Sequence, residues 1–323
     1  MTSTTLPSLL TARPATQRPH AAMPESMWRF LASPTPVSLG EGNTPLLPVT
    51  NSISLKDEGR NPGASMLDRI ASILVTIAKA TGHKHLIFAV ESDTLAASLA
   101  VYSAIAGLPC SITLTAEASD LDYLRATTAG AALLTPSPHT PVEATLSPED
   151  ITLATHLATH TIACEIAEQL QWKFPETVLV PGATPADLLH FEQSFAFLLQ
   201  HNWTTSTHAP RCLAVHIAPA PHTRSHAPAR IAAQALQQLS DQVIVLEEDR
   251  VREALQRMAR AGWMLSPGAA AGIAAAETLP ASAAPIVLLE PRSALSAARE
   301  IAQILGIRRY PTRMPVGGII SPL

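Results

Sequence analysis

The residues that could carry covalent chemistry in this chain are few. Lysine occurs at four positions, 56, 79, 84 and 173, while arginine supplies the remaining fixed positive charge. A lysine amine can form a Schiff base with an aldehyde and can then move a proton. Lys79 and Lys84 flank the end of a predicted helix, so we expect solvated side chains there. Any amine chemistry therefore depends on a very small set of residues.

Paired histidines are the second group of candidate residues. His156 and His160 are four residues apart, a spacing that could place both rings on one helical face as metal ligands. No Glu or Cys of a recognised zinc motif accompanies them, which favours a packed or solvated pair. The same interpretation applies to His222 and His226 in a Pro-rich segment. We predict no metal site.

Composition narrows the classes of function. The 323 residues are 47% apolar and only 15% charged, with a net charge of −4, so no basic face for nucleic acid is expected. Apolar runs are too short to predict a membrane span. Cys110, Cys164 and Cys212 lie in apolar segments, which predicts reduced thiols and a cytoplasmic location. Residues 1–26 read as a disordered tail, with an organellar targeting segment as the alternative.

Strand and helix patterns alternate along the chain, which predicts an α/β fold with parallel sheets flanked by helices. The predicted strands are 85–90, 110–115, 131–135, 177–182, 211–219 and 284–290. The predicted helices are 68–82, 92–107, 120–130, 160–170, 185–201, 249–262, 267–279 and 294–306.

Chain length and the Pro-rich segment 136–150 favour two lobes. We assign 27–50 and 161–323 to a larger lobe, and 51–160 to a smaller one. A ligand is expected between the lobes, at the carboxyl ends of the strands.

Several segments resemble one enzyme family. They are "MWRF", "SLGEGNTPLL", "LKDEGRNPGAS", "LDR", "TIACEIAEQLQW" and "VLVPG", which occur in order between about residues 27 and 182. These segments resemble threonine synthase and, more broadly, the tryptophan-synthase-β-like, fold-type-II enzymes that use pyridoxal phosphate (PLP). The ordered similarity runs from about residue 27 to about residue 290. It implies the two-lobed fold-type-II architecture, with the cofactor in the cleft. It also implies conversion of phosphohomoserine to threonine, or a related replacement or elimination reaction.

The position of the family's Schiff-base lysine holds no amine. The family pattern resembles N-P-T-G-S-F-K-D-R, whereas this chain reads N-P-G-A-S-M-L-D-R, with Leu67 at the lysine position. An isobutyl group can neither form the internal aldimine nor move a proton. Ser65 resembles the family's serine, or is an N-cap for the following helix. Asp68 and Arg69 match the pattern and are interpreted as a structural pair opening that helix.

Two further parts of the implied cofactor site are altered. Where the family places S-S-G-N, this chain has Glu91, Ser92 and Asp93, which adds carboxylates beside an anionic cofactor. One like-charge contact at roughly 4 Å costs on the order of 4 kcal/mol at an effective dielectric of about 20. Glu290 stands at about the position of the hydroxyl that the family places near the pyridine nitrogen. Together these carboxylates predict an acidic pocket suited to an amine or cation.

The phosphate-binding turn is altered as well. The resemblance implies a glycine-rich turn after the strand "VLVPG", and here it reads Gly182, Ala183, Thr184 and Pro185. Proline has no N–H to donate, and the Cβ atoms restrict the backbone. Ser65, Ser92, Asp93, Gly182, Ala183, Thr184 and Glu290 are therefore degenerate equivalents of a cofactor site.

The favoured hypothesis is a threonine-synthase-like pseudoenzyme without bound PLP, which binds a small amino-acid-like ligand or a protein partner, with a homodimer as a further prediction. One alternative is a PLP-dependent carbon–oxygen lyase with a rearranged site, in which case PLP is the cofactor. Lys56 would be the surrogate amine, although a structural role is favoured for it. Another alternative is an enzyme that uses the cleft without PLP, with Asp93 or Glu91 as base.

Overall fold

The fold is built on two separate β-sheets. The computed structural model describes residues 36–88, 92–115, 118–134, 145–218, 241–291, 294 and 297–307. Nine strands lie in these ranges: β1 (Leu46–Pro48), β2 (Ile53–Asp57), β3 (Leu86–Phe88), β4 (Cys110–Thr113), β5 (Ala132–Leu134), β6 (Thr177–Pro181), β7 (Arg211–Ala218), β8 (Val243–Glu247) and β9 (Ile286–Glu290).

The large sheet has six strands in the order β1-β2-β9-β6-β7-β8. All neighbouring strands run parallel except β1, which pairs antiparallel with β2 at the edge. The second sheet has three parallel strands in the order β3-β4-β5. The pairing confirms the predicted α/β class with parallel sheets. Parallel strands are buried on both faces, so helices must cover each sheet.

Eight α-helices cover these sheets in the described part of the chain. They are α1 (Leu67–Ala80), α2 (Asp93–Ala106), α3 (Asp120–Thr128), α4 (Pro148–Gln169), α5 (Pro185–Gln200), α6 (Glu248–Arg260), α7 (Pro267–Ala276) and α8 (Ala298–Ile304). Most begin at a side chain that accepts a hydrogen bond from the first turn. Ser92 caps α2, and Thr184 caps α5.

Three boundaries differ from the sequence-based expectation. Strand β2 pairs with β9 in the large sheet, whereas the sequence division placed residues 51–160 in the smaller lobe. Helix α4 begins at Pro148, twelve residues before the predicted start at 160, because a Ser147–Asp150 capping box nucleates it. Strand β8 was not predicted from the sequence.

The core is divided among the sheets and their helices. One cluster packs α1, α2 and the start of α4 around the small sheet. Helices α6 and α7 cover one face of the large sheet, and the end of α4 with α5 covers the other. Side chains alternate along a strand, so Leu55 packs toward α7 while its neighbour Lys56 points to the α4 face. This alternation decides which site each strand residue reaches.

Candidate functional site

Leu67 is the first residue of α1 and is half-buried against the core around the small sheet. The N–H of Met66 donates to the carbonyl of Pro291 at 2.9 Å, which fixes the helix start beside the end of β9. Ser65 Oγ accepts from the Leu67 N–H at 3.2 Å and donates to the Pro291 carbonyl at 3.5 Å. Ser65 thus stabilises the entry to α1, although the cap position itself belongs to Met66.

The backbone N–H groups of the turn after β6 already have acceptors within the chain. The Gly182 N–H donates to Val215 O at 2.8 Å, and the Ala183 N–H donates to Val180 O at 3.4 Å. The Thr184 N–H and hydroxyl both donate to the Asp187 carboxylate at 2.8 Å, closing a capping box at the start of α5. The next residue, Pro185, has no N–H. The positive end of the helix is therefore already neutralised by a carboxylate of the chain.

Asp93 also has a local structural partner. Its carboxylate accepts the Thr115 N–H at 2.7 Å and the Thr115 hydroxyl at 2.5 Å, which joins the start of α2 to the segment after β4. Ser92 Oγ accepts the Leu95 N–H at 3.3 Å as the helix cap. Glu91 lies outside the described residues. The two described residues at this turn therefore cap α2 and tie its start to the segment after β4.

Glu290 ends β9 and is only 3% exposed. Its Oε2 accepts the Ser266 N–H at 3.1 Å, just before α7 begins. A cavity of about 410 Å³ lies beside it. The lining residues are Leu47, Leu55, Asp57, Gly59, Arg60, Gly262, Trp263, Met264, Leu265, Glu290 and Ala294.

A network of buried charges lies on the opposite face of the large sheet. Arg69 Nε and Nη2 donate to both oxygens of Glu58 at 2.8 and 2.9 Å. The same guanidinium donates to both oxygens of Glu165 on α4 at 2.6 and 2.9 Å. Such fork-to-fork pairing is the strongest geometry available to an arginine. Arg69 therefore bridges the helix α1, the end of β2 and helix α4.

Lys56 completes the network from β2 and is fully buried. Its ammonium donates to the Thr44 carbonyl and to Glu165, each at 2.7 Å, and to Gln169 at 3.1 Å. Three acceptors match its three N–H bonds. Burial lowers the pKa of Lys56, and the carboxylates of Glu165 and Glu58 oppose that shift. The structural role predicted for this lysine is thus supported by its contacts.

Glu165 is held in the ionised state within this network. Burial would raise the pKa of Glu165, but Arg69 and Lys56 outweigh it and bring that pKa down to about 2. Thr44 and Asn61 donate to Glu58 at 2.6 and 2.8 Å, which satisfies its remaining lone pairs. Two cations and two carboxylates therefore form one buried, neutral group, which is costly to disrupt at any single member.

Asp68 has different partners from Arg69, so the two residues, both predicted to be structural at the start of α1, belong to separate clusters. The Asp68 Oδ1 accepts Ser98 Oγ at 2.7 Å and Arg125 Nη2 at 3.1 Å, and the Gly63 N–H donates to Oδ2. Burial raises the pKa of Asp68, against the attraction of Arg125. A Cβ atom on Gly63 would overlap the Arg125 guanidinium. Asp68 is structural, and it joins α1 to α2 and α3.

The predicted histidine pair lies on α4 and packs against α5. His156 contacts His190 edge to face with ring centroids 5.4 Å apart, and His160 contacts Phe197 at 5.2 Å. Within the described ranges, no group of three or more His, Cys, Asp or Glu is placed to hold a metal ion. His222 and His226 lie outside those ranges.

The thiols and the helix lengths agree with the composition. Cys110, Cys164 and Cys212 are buried and unbridged, and burial raises the pKa of Cys164 and of Cys212 to about 12. Among the residues with described positions, no helix is both long and apolar enough to cross a membrane.

Sequence reasoning missed most of the charge network. Glu58, Glu165 and Asn61 were not singled out, although each lies inside a segment that carries the family resemblance. A charged residue within an otherwise apolar helical pattern, such as Glu165 in "TIACEIAEQL", is the signal that could have indicated a buried partner. The partner itself lies 96 residues away in sequence, at Arg69.

Part of this chain is similar in sequence to curated threonine synthases. Threonine synthase of Mycobacterium tuberculosis is 42% identical over 85 residues, and that of Halalkalibacterium halodurans is 42% identical over 81 residues. The first match covers 24% of this chain and 23% of the relative, and the second covers 23% of each. The chain thus matches less than a quarter of the length of these curated relatives.

Solved structures share the fold at low sequence identity. O-ureido-L-serine synthase superposes with a TM-score of 0.56 at 18% identity, covering 79% of this chain and 90% of that one. A hydrogen sulfide-producing enzyme from Fusobacterium nucleatum gives 0.56 at 20% identity, covering 79% and 96%. A family model described as "Pyridoxal-phosphate dependent enzyme" matches residues 37–289. The chain therefore belongs to the pyridoxal-phosphate-dependent enzyme family, as its sequence segments predicted.

Proposed function

We propose that this chain is a threonine-synthase-like pseudoenzyme, which keeps the family fold but does not hold PLP as a Schiff base. The proposal rests on the absence of an available lysine amine near the start of α1. Leu67 has no amine, and the nearest lysine in sequence, Lys56, donates to three acceptors and is fully buried. Freeing its amine would leave Glu165 without one of its two cations, at a cost of about 3–5 kcal/mol.

The turn after β6 gives separate support, because its residues do not fit a phosphate. The N–H groups of 182, 183 and 184 have acceptors within the chain, and residue 185 has none to donate. A phosphate placed at the start of α5 would also meet the Asp187 carboxylate. Anion sites of this kind depend on free backbone donors at a helix N-terminus. The turn therefore lacks the free backbone donors that a PLP phosphate would need.

The alternative function is a PLP-dependent carbon–oxygen lyase with a rearranged site, acting on phosphohomoserine. Family membership and the partial matches to threonine synthases favour it. An enzyme that uses Asp93 as a base without PLP is less well supported, since both Asp93 oxygens are engaged by Thr115. A small amino-acid-like ligand, a homodimer and a cytoplasmic location remain predictions.

Reduction with borohydride tests the proposal directly. The full chain is mixed with PLP, its absorbance is followed for an aldimine band, and the product is reduced and mapped by mass. We expect no stoichiometric adduct, with only trace labelling of the exposed Lys79, Lys84 and Lys173. Matched Lys56→Arg and Lys79→Arg variants identify the origin of any signal. A stoichiometric adduct on Lys56 would contradict the proposal.

Turnover provides the second readout. We expect no threonine from phosphohomoserine, with or without added PLP, at any concentration of the folded protein. Threonine formation that depends on PLP would support the lyase instead. Activity that is independent of PLP and lost in Asp93→Asn would support the remaining alternative.

A further inference from the structure

Helix α4 is shared between two cores. Its N-terminal part, 148–160, packs through residues such as Leu157 into the cluster around the small sheet. Its C-terminal part packs through residues such as Ile166 into the cluster on the large sheet, to which α5 contributes Phe191 and Phe195. Phe197 on α5 packs against both clusters. A contact between the N-terminal part of α4 and α5 therefore joins the two cores.

Histidine rings occupy this contact. His156 and His160 are one helical turn apart, so both lie on one face of α4. His156 meets His190 of α5 edge to face with ring centroids 5.4 Å apart, and His160 meets Phe197 in the same way at 5.2 Å. His201 stacks on Phe197 at 3.9 Å. We call His156, His160 and His190 the histidine seam.

Each ring of the seam has a buried nitrogen without a hydrogen-bond partner among the described residues. The atoms are Nδ1 of His156, Nε2 of His160 and Nδ1 of His190. A neutral imidazole carries one N–H, whereas the protonated ring carries two and needs an acceptor for each. A buried donor without an acceptor is costly, and a charged donor costs more than a neutral one. The seam therefore accommodates neutral rings and disfavours protonated ones.

Few charges surround the seam. The groups that act electrostatically on its rings are the seam histidines themselves, with His201 and Asp187 on α5. Helix α1 and strand β7, which also pack on α4 and α5, contribute no such group within the described ranges. Asp187 favours a protonated His190, but burial outweighs it and lowers the pKa of His190. Burial also lowers the pKa of His156 and brings that of His160 to about 3.

We propose that the histidine seam is an acid-sensitive contact, which holds the N-terminal part of α4 against α5 at neutral pH and opens on acidification while the chain stays folded. Protonation of His156 and His190 places like charges on the two sides of one contact, and opening lets water solvate both rings. The other faces of the two helices keep their packing in the cores, through residues such as Leu157 and Phe191. The inference does not depend on the loss of PLP chemistry, so the two proposals can fail separately.

Proton linkage sets the size of the response. A ring in the open state takes the pKa of a solvated histidine, about 6.5, whereas a ring in the closed state stays neutral to a lower pH. Between pH 7 and about pH 5, the ratio of open to closed protein rises at most about 25-fold for each ring that stays neutral when closed. The closed contact is therefore favoured above pH 6.5 and is lost progressively below it.

The distance between two spin labels tests the opening. Thr152→Cys on α4 and Leu189→Cys on α5 place the labels at exposed positions close to the seam in sequence, and the three native thiols are buried. Pulsed electron paramagnetic resonance of the full chain gives the distance distribution at pH 7 and at about pH 5, and circular dichroism checks the helices at both.

We expect a longer-distance population whose ratio to the shorter one rises about tenfold or more at the lower pH, with the helical signal unchanged. A distance distribution that is the same at both pH values would overturn the proposal. So would a longer population that appears only together with loss of the helical signal, because that change is unfolding of the chain.

Substitution in the labelled protein identifies the rings. His190→Phe keeps an aromatic ring that cannot be protonated, so we expect the pH-dependent rise to shrink several-fold. His208→Phe is the matched control, because His208 is exposed and pairs with Glu176 at the surface, and it should keep the full rise. An equal response in the two variants would overturn the assignment.

A second variant protects the test against misfolding of the first. His156→Phe replaces the ring on the other side of the same contact, and circular dichroism checks its fold. We expect the same several-fold reduction of the rise as in His190→Phe. The full rise in folded His156→Phe protein would overturn the role given to the His156–His190 contact.

Discussion

The buried charge network and the turn after β6 differ in what holds their residues in place. The network contains Lys56, Arg69, Glu58 and Glu165, all within segments that resemble threonine synthase. The turn at 182–185 departs from the family pattern, and its backbone donors already have acceptors within the chain. The resemblance therefore follows the residues that hold the fold together more closely than those that would hold a cofactor.

The reason is energetic. Each member of the network balances another buried charge, so replacing one leaves its partner uncompensated. A turn at a helix start loses about 1 kcal/mol when its cap changes, and a new cap restores that amount. The network cannot change one residue at a time without a large loss of stability, whereas the turn can.

Arg69→Met is expected to have the largest effect. It leaves Glu58 and Glu165 buried beside a single remaining lysine, which we expect to destabilise the fold by about 3–5 kcal/mol. Urea unfolding followed by circular dichroism measures the change. Arg60→Met is the control, because Arg60 is 69% exposed and pairs at the surface, and it should cost under about 1 kcal/mol. Equal losses in the two variants would contradict the distinction.

The pH dependence of stability should distinguish two residues of helix α4, the packed His160 and the ion-paired Glu165. Burial, with His156 and His201 nearby, lowers the pKa of His160 from 6.5 to about 3. The unfolded chain therefore binds more protons below pH 6.5, and stability falls as the pH falls. Between pH 6.5 and about 5 the loss through this group is about 2 kcal/mol.

The buried charge network does not change stability between pH 6.5 and 5. The pKa of Glu165 lies at about 2, so its stabilising contribution is lost only below pH 4.5. His160→Leu should flatten the decline of unfolding free energy between pH 6.5 and 5. Burial also lowers the pKa values of His156 and His190. The His160→Leu variant should therefore keep a smaller dependence of unfolding free energy on pH. A variant with the wild-type slope would show that His160 does not carry the effect.

Thr184→Ala tests the turn as a helix cap. Loss of the hydroxyl removes one side of the Thr184–Asp187 box, and we expect a loss of about 1 kcal/mol in unfolding free energy. Thr184→Ser keeps the oxygen and should retain most of the stability. Added inorganic phosphate should leave the wild-type melting temperature unchanged at constant ionic strength. A rise specific to phosphate would mean that the turn still binds an anion.

Leu67→Lys is expected to have the smallest effect on function. It restores an amine at the start of α1, yet the turn donors stay committed and Asp93 stays bound to Thr115. We therefore expect no threonine formation from phosphohomoserine above the wild-type background. Recovery of threonine synthesis in this single variant would contradict the view that the remaining changes matter.

The sequence by itself determined the α/β class, most helices and the family, because periodic apolar patterns and glycine stops are local signals. Helices α1 and α2 begin and end within one or two residues of the prediction. It also determined the absence of an amine at residue 67, which needs no coordinates. Strand β8 was missed, and the membership of β2 in the large sheet could not be predicted, since strand pairing is non-local.

Only the tertiary structure decided which charges meet. Asp68 and Arg69 are adjacent in sequence but belong to two separate clusters, because a helix directs consecutive side chains about 100° apart. Likewise, Lys56 and Asp57 are neighbours on β2, yet one enters the charge network and the other lines the cavity. Side-chain direction on helices and strands, combined with contacts between residues far apart in sequence, produced both sites.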